Sequence, residues 1–390
     1  MRKFITSLLS VCFLGAGLAV ANDEKVDEDK NPLSWSSKNT TATLSGFVMV
    51  VGKADFGGSV SGNDFWTALI PTDGTYANQT GIGLDAVGSR LGLDVTQKTS
   101  LGDVQGLIEI DFAGSTSLIR IRHAYLKFRG FVIGQTWSFM VDNASVVSTI
   151  DRIWIQSRPF TRLPLIGYEH SFKNGISLGG AVEVSSSEVG MDLPDITTIS
   201  TAKRRYPDLP VYFQYTKGQS HIKASALVRG LSYNNLVTSQ IEEKLGWGAQ
   251  LSGSLKVAPK LELYAQGIYG EGIANYLSAL QILNLNLMPN INNTGEVKAL
   301  PMYGASAGLR VDIAKNIYSA ASYSFAALSK VEDYYWDSTY RWSDLISLNM
   351  FWSPVKPILL GIEYLHGERE DMDGSRGSAN RIYISALYKF

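Results

Sequence analysis

The sequence has one cysteine, Cys12, inside its first twenty residues, so the chain beyond them has neither a disulfide nor a thiolate site. An excess of positive charge is also missing. Lys and Arg number 35 against 36 Asp and Glu, a formal net charge of −1 that becomes −3 once Arg2 and Lys3 are set aside. That balance gives no electrostatic footprint for nucleic acid. Charge of either sign is scarce, at 18% of residues, where soluble domains carry about a quarter. Beyond the N-terminal segment no apolar run is long enough to cross a bilayer as a helix, which takes about 20 residues. Heptads are absent from the N-terminal region, which argues against a coiled-coil prefix. No fixed repeat period is found, which argues against a solenoid. The four histidines, His123, His170, His221 and His366, lack metal-ligand spacing. No phosphate loop, zinc signature or Gly-x-Ser-x-Gly elbow occurs, so the chain reads as a non-enzyme that needs no cofactor or metal.

What is present begins at the N-terminus. Arg2 and Lys3 precede an apolar stretch from Phe4 to Leu18 and a small-x-small site, Ala19-Val20-Ala21. This is the layout of a signal peptide, assigned to residues 1–21. The valine of Leu9-Ser10-Val11-Cys12 stands where a lipoprotein signal needs a small residue, which argues against acylation. Residues 22–42 are polar and acidic, contain Pro32 and read as a flexible leader, leaving 43–390 as one domain. An exported chain of zero mean hydropathy and no spanning helix has one way to satisfy its backbone in lipid, a closed β-barrel.

Barrel strands alternate apolar-out and polar-in over about ten residues between turns. The C-terminus does so. Ile382, Ile384, Ala386, Tyr388 and Phe390 form one face, and Arg381, Tyr383, Ser385 and Lys389 share the other with Leu387. An aromatic C-terminal residue resembles the signal read by the barrel-assembly machinery, here through Phe390. Comparable segments lie near 44–54, 88–98, 103–112, 118–128, 131–137, 162–172, 175–185, 209–217, 220–230, 244–257, 260–270, 302–313, 316–327, 341–353, 357–367 and 378–390. Tight connections such as Arg129-Gly130, Lys173-Asn174-Gly175 and Lys217-Gly218-Gln219 alternate with long polar ones. The pattern describes an all-β, 16-stranded antiparallel transmembrane barrel of the bacterial outer membrane, with lipid as its surroundings. Phe47, Trp137, Trp247, Trp342, Trp352, Tyr364 and Tyr388 sit near strand ends, as girdle residues or as ordinary packing. His123 falls on the apolar side of its strand, which a subunit contact would explain.

The polar faces would line the lumen. Candidate pore-lining and constriction residues are Arg90, Glu109, Asp111, Arg120, Arg122, Arg152, Arg158, Arg310 and Arg381. Asp94, Lys223, Arg229, Glu262, Asp312 and Glu363 also lie on polar faces. Acids on one strand beside bases on the next set a transverse field across a water-filled lumen; alternatively Glu109, Asp111, Arg120 and Arg122 neutralise one another and brace the wall. The connection 138–161 joins Asp142, Asp151, Arg152, Trp154 and Arg158 to Val146, Val147, Ile150, Ile153 and Ile155. So many apolar side chains point to a third extracellular loop folded into the lumen, with packing over the mouth or against a neighbouring subunit as the alternative.

Gly88-Ser89-Arg90-Leu91-Gly92, Glu109-Ile110-Asp111-Phe112, Arg120-Ile121-Arg122-His123-Ala124-Tyr125 and Gly134-Gln135-Thr136-Trp137-Ser138 together resemble the DcaP-like porins of Gram-negative bacteria. The resemblance is clearest over residues 88–142. It implies a 16-stranded homotrimer favouring small organic anions, especially dicarboxylates, with Arg90, Arg120 and Arg122 in its basic wall and Arg152 and Arg158 on its inward loop. Family members can carry an N-terminal coiled coil, from which residues 22–42 depart. The function expected is passive diffusion of small hydrophilic solutes, with a lean to organic anions. The alternatives are a surface-binding or adhesion barrel with a closed lumen, presenting loops 54–87, 186–208 and 271–301, and a hydrolase with a serine and histidine on the lipid face.

Overall fold

The computed structural model describes residues 33–390 other than 59, 61, 76–78, 115–117, 154, 186–188 and 190–196. The signal peptide, the leader through residue 32, and Trp154 therefore lie outside the described residues. Sixteen antiparallel strands form the wall: β1 (Thr40–Phe56), β2 (Arg90–Thr99), β3 (Gly102–Asp111), β4 (Arg120–Phe128), β5 (Phe131–Trp137), β6 (Arg162–Ser171), β7 (Ile176–Glu183), β8 (Asp208–Lys217), β9 (Ser220–Asn235), β10 (Gln240–Ala258), β11 (Leu261–Glu271), β12 (Pro301–Ala314), β13 (Ile317–Leu328), β14 (Tyr340–Trp352), β15 (Ile358–Asp371) and β16 (Arg376–Lys389). Each pairs with its successor. The sheet closes where β1 pairs with β16, from Phe47 opposite Lys389 to Phe56 opposite Asn380.

The burial pattern gives the reason for this shape. Along β10, Leu245, Leu251 and Leu255 are exposed while Gln250, Ser252 and Ser254 are buried. A soluble protein would do the opposite; an apolar outside and polar inside suit a barrel whose solvent is lipid. No helix among the described residues is long and apolar enough to cross a membrane. Strands β2 to β7 have 7–10 residues, whereas β9, β10, β12, β15 and β16 have 14–19. About ten residues span the hydrocarbon layer, so one side of the wall is low and the other stands well above it.

The sixteen segments seen in the sequence are the sixteen wall strands, with three corrections. The barrel begins inside the region read as leader: Thr40 opens β1, and Ser34–Ser36 pairs with it opposite Thr41 to Thr43. The second strand is interrupted, with Gly81–Asp85 continuing β2 along the same side of β1. Third, Glu109 opposes His123 while Ile110 opposes Ile121, leaving Arg122 as an extra residue in β4. Such a bulge reverses the alternation beyond it. His123 consequently faces inward, 3% exposed, with Nδ1 2.9 Å from Thr136 Oγ1, and not toward another subunit.

Seven short connections lie at one end of the barrel and the long ones at the other. Parts of the long connections are buried. Phe65 and Ile70 pack with Ile150, Leu365 and Tyr383, and Tyr276, Leu277 and Leu280 pack with Met140 and Leu300. Much of the loop at 271–301, read as a surface for adhesion, is thus core. Trp247, Trp352 and Tyr388 are exposed on the outer face, whereas Trp137 packs against Phe160 with tilted rings 5.1 Å apart and Phe47 lies under Arg90 at 5.3 Å.

Candidate permeation site

Cross-strand register assembles the first group of charges. Arg90 on β2 lies directly opposite Asp111 on β3, and Asp111 directly opposite Arg120 on β4. Arg120 donates from Nε and Nη2 to the two carboxylate oxygens of Asp111 at 3.0 and 2.7 Å, the bidentate fork that suits guanidinium to carboxylate. Two residues on, alternation puts Arg122 on the same side, where Nη1 reaches Asp111 at 3.0 Å and Nε reaches Glu109 at 2.6 Å. Arg90 Nη1 is 3.8 Å from Glu109. The side chain of Arg120 is 42% exposed and that of Arg122 3%, so water reaches the first and little of the second.

Two more arginines join from the connection 138–161 and its exit. Arg158 is buried, stacked 4.2 Å over Phe160, and donates to Asn143 Oδ1 at 3.0 Å. Burial first, and the charge of Arg122 second, push its guanidinium below the usual range. Arg162, at the start of β6, lies 4.3 Å over Trp137 and within electrostatic reach of Arg90, Arg120 and Arg122. The sequence reading stopped at residue 161 and missed Arg162. The signal available was its spacing, four residues after Arg158. Five guanidinium groups thus face three carboxylates, Glu109, Asp111 and, beside Arg158, Asp142, which leaves an excess of positive charge.

The other candidates are elsewhere. Arg152 pairs with Asp64 at 2.6 Å and Asp85 at 3.9 Å. Arg381 departs from the expected pore-lining place: it is fully buried, holds both oxygens of Asp55, and donates to Val60 O and Tyr383 Oη at 2.9 Å each. With these donors committed it braces the connection after β1 against the wall. Arg310 stacks 3.9 Å over Tyr318 and pairs with Asp312 at 2.9 Å, in a third group with Lys256.

The connection 138–161 is held by side chains of strands distant in sequence. Glu363 Oε2 on β15 accepts from Ile150 N and Asp151 N at 2.6 and 2.8 Å. Asn349 on β14 donates to Ser148 O at 2.8 Å, and Lys223 on β9 to Val141 O at 2.7 Å. Asp151 accepts from Phe65 N at 3.0 Å; its burial, then the nearby charges of Asp64 and Glu363, push its carboxyl up to about 7. Asp142 Oδ2 lies 2.8 Å from His221 Nε2 and accepts from Ser252 Oγ at 2.6 Å, while His221 Nδ1 is 3.2 Å from Ser254 Oγ. Linear spacing does not announce this serine–histidine–aspartate chain, whose members come from one connection and two strands. It stands on the polar face of β9 and β10, not the lipid face a membrane hydrolase would need, and it ties the connection to the wall. Among the described residues no group of three or more His, Cys, Asp or Glu is placed to hold a metal.

A closed sixteen-stranded barrel with apolar faces outside and charged groups on its polar face is an outer-membrane channel of the porin class. The profile of the DcaP outer membrane protein family matches residues 14–265, and the chain belongs to that family. The crystal structure of the outer membrane channel DcaP of Acinetobacter baumannii superposes with a TM-score of 0.79 at 25% identity, covering 91% of this chain and 99% of that one. The anion-selective porin from Comamonas acidovorans shares the fold at TM-score 0.58 and 14% identity, over 90% of this chain and all of that one. So does OmpT of Vibrio cholerae in its trimer form, at 0.53 and 12% over the same shares. No curated protein sequence matches the chain significantly. The protein resides in the bacterial outer membrane, crossing it many times with its strands.

Proposed function

We propose that the protein is a homotrimeric diffusion porin for small hydrophilic solutes with a preference for organic anions such as dicarboxylates. The observation that carries the reading is the excess of guanidinium over carboxylate around Arg90, Arg120, Arg122, Arg158 and Arg162. In this reading 138–161 is the third extracellular loop and lies inside the barrel, narrowing the lumen beside that cluster. A solute carboxylate exchanges with Asp111 or Glu109 for guanidinium donors, weakly enough to leave again, as selection by charge in a channel requires. Arg120, more exposed than Arg90 or Arg122 beside it, meets it first. Flux follows the solute gradient and no cofactor takes part. The trimeric relative and the anion-selective porin sharing the fold are consistent with this.

The test is single-channel conductance and reversal potential of the purified protein in a planar bilayer under a salt gradient. Openings in steps of three with an anion-biased reversal potential support the reading. A cation bias keeps the channel and removes the dicarboxylate preference. A folded, heat-modifiable barrel without conductance would move the function to a surface-binding barrel, whose closed lumen the buried loop clusters would then explain.

A further inference from the structure

The seven short turns share a chemical feature that the strands they join do not dictate. Each carries one exposed cation at or beside it: Lys98, Arg129, Lys173, Lys217, Lys260, Lys315 and Lys356, with Lys38 and Lys389 at the same end. Among the described residues, Asp103 is the one exposed carboxylate within two residues of these turns. The long-loop end does not share the bias, since Lys330 there is followed by exposed Glu332, Asp333 and Asp337. A rim of one sign at the height of the lipid headgroups attracts the opposite sign.

One stretch of the rim adjoins a groove in the outer wall. On β7, β8 and β9, Gly180, Val211 and Ala226 form one cross-strand row and Leu178, Phe213 and Ala224 the next. Glycine and alanine beside exposed Val211, Phe213 and Phe172 leave a depression of about 820 Å³ lined almost wholly by apolar surface. Two adjacent turns close its lower end. Gly175 O accepts from Thr216 N at 2.9 Å, which sets the turn of Lys173 beside Lys217.

We propose that the short-turn rim binds anionic phospholipid, and that the groove over Gly180 seats an acyl chain of a lipid whose phosphate sits against Lys173 and Lys217. The apolar groove faces hydrocarbon, so its chain partner is given by its surroundings, and the lysines select the headgroup by charge. At about fivefold per cation near an anionic surface, losing two lowers retention by an order of magnitude or more.

Native mass spectrometry of the detergent-purified protein, titrated with phosphatidylglycerol and separately with phosphatidylcholine, tests this. Preferential retention of phosphatidylglycerol is expected, lost at high salt and reduced about tenfold or more in K173Q/K217Q, whose exposed turn residues leave the heat-modifiable barrel intact. G180L, which fills the groove, should lower retention of both lipids; A226L does the same from the next strand should G180L fail to fold. Equal retention of the two lipids, or phosphatidylglycerol binding unmoved by K173Q/K217Q, overturns the proposal. So does cross-linking of A226C between copies in membranes, which would make a second copy the occupant.

Discussion

Arg120 and Arg122 do different work although two positions apart, because one is half in water and the other is not. Arg120→Gln removes an exposed guanidinium from a carboxylate that keeps a second partner. Its expected effect is a smaller anion bias in reversal potential with unchanged urea stability. Arg122→Gln leaves Glu109 and Asp111 short of their shared buried cation, and losing one partner of a buried pair costs about 3 kcal/mol or more. Refolding titrations monitored by heat-modifiable migration should show that loss; equal stability for the two variants would mean the burial difference is without consequence. Asp151 supplies a pH test. Its carboxyl is raised from 3.8 to about 7, so the folded state binds more protons than the unfolded one between those values. Packing of the segment 138–161 should therefore be tightest in acid and weaken as pH rises through that window. Hydrogen exchange at pH 5 and pH 8 reads this, and Asp151→Asn should abolish the difference.

At the scale of the element, 138–161 behaves as one piece because its backbone donors are taken by the wall. Two of them end on a single carboxylate, Glu363, and hydrogen bonds to charged groups contribute about 1.5–3 kcal/mol each. Glu363→Leu should release the segment, seen as protease cleavage within 138–161 and a larger, noisier conductance from a barrel that still closes. Cleavage no faster than in the parent would mean that Asp142, His221 and Asn349 hold it alone. The elements were also where the sequence was most readable. A period of two over ten residues is local, so Leu245, Leu251 and Leu255 announce a strand without knowledge of its neighbour. The bulge at Arg122 is a relation between two strands, and alternation within β4 cannot reveal it, which is why His123 was placed on the wrong face. Arg381 was misplaced for a similar reason. Its partner Asp55 is 326 residues away, and a polar position on a strand face does not say whether water or a carboxylate fills the space in front. The burial of Phe65 and Tyr276 was hidden in the same way, since loop residues carry no period.

On the proposed function the whole molecule selects by charge, so its selectivity should depend on the medium. Fixed charges in water act over about 10 Å at 0.1 M salt and about 3 Å at 1 M. An anion bias produced by the arginine cluster should shrink when the same salt ratio is imposed around 1 M, as reversal potentials would report. A bias independent of ionic strength would place the discrimination in the width of the passage instead.

The attachment of 138–161 also sets an order of events during assembly. Ile150 and Asp151 meet their acceptor 213 and 212 residues later in the chain, on the second-to-last strand. Until β15 is in place those two backbone groups have only water to bond, although Val141 and Asp142 already meet β9 and β10, so the segment is only partly seated. The attachment of 138–161 is therefore complete only when the last hairpin closes against β1. Completion of the wall and full seating of 138–161 are one event, and on the proposed function the passage reaches its working width only then.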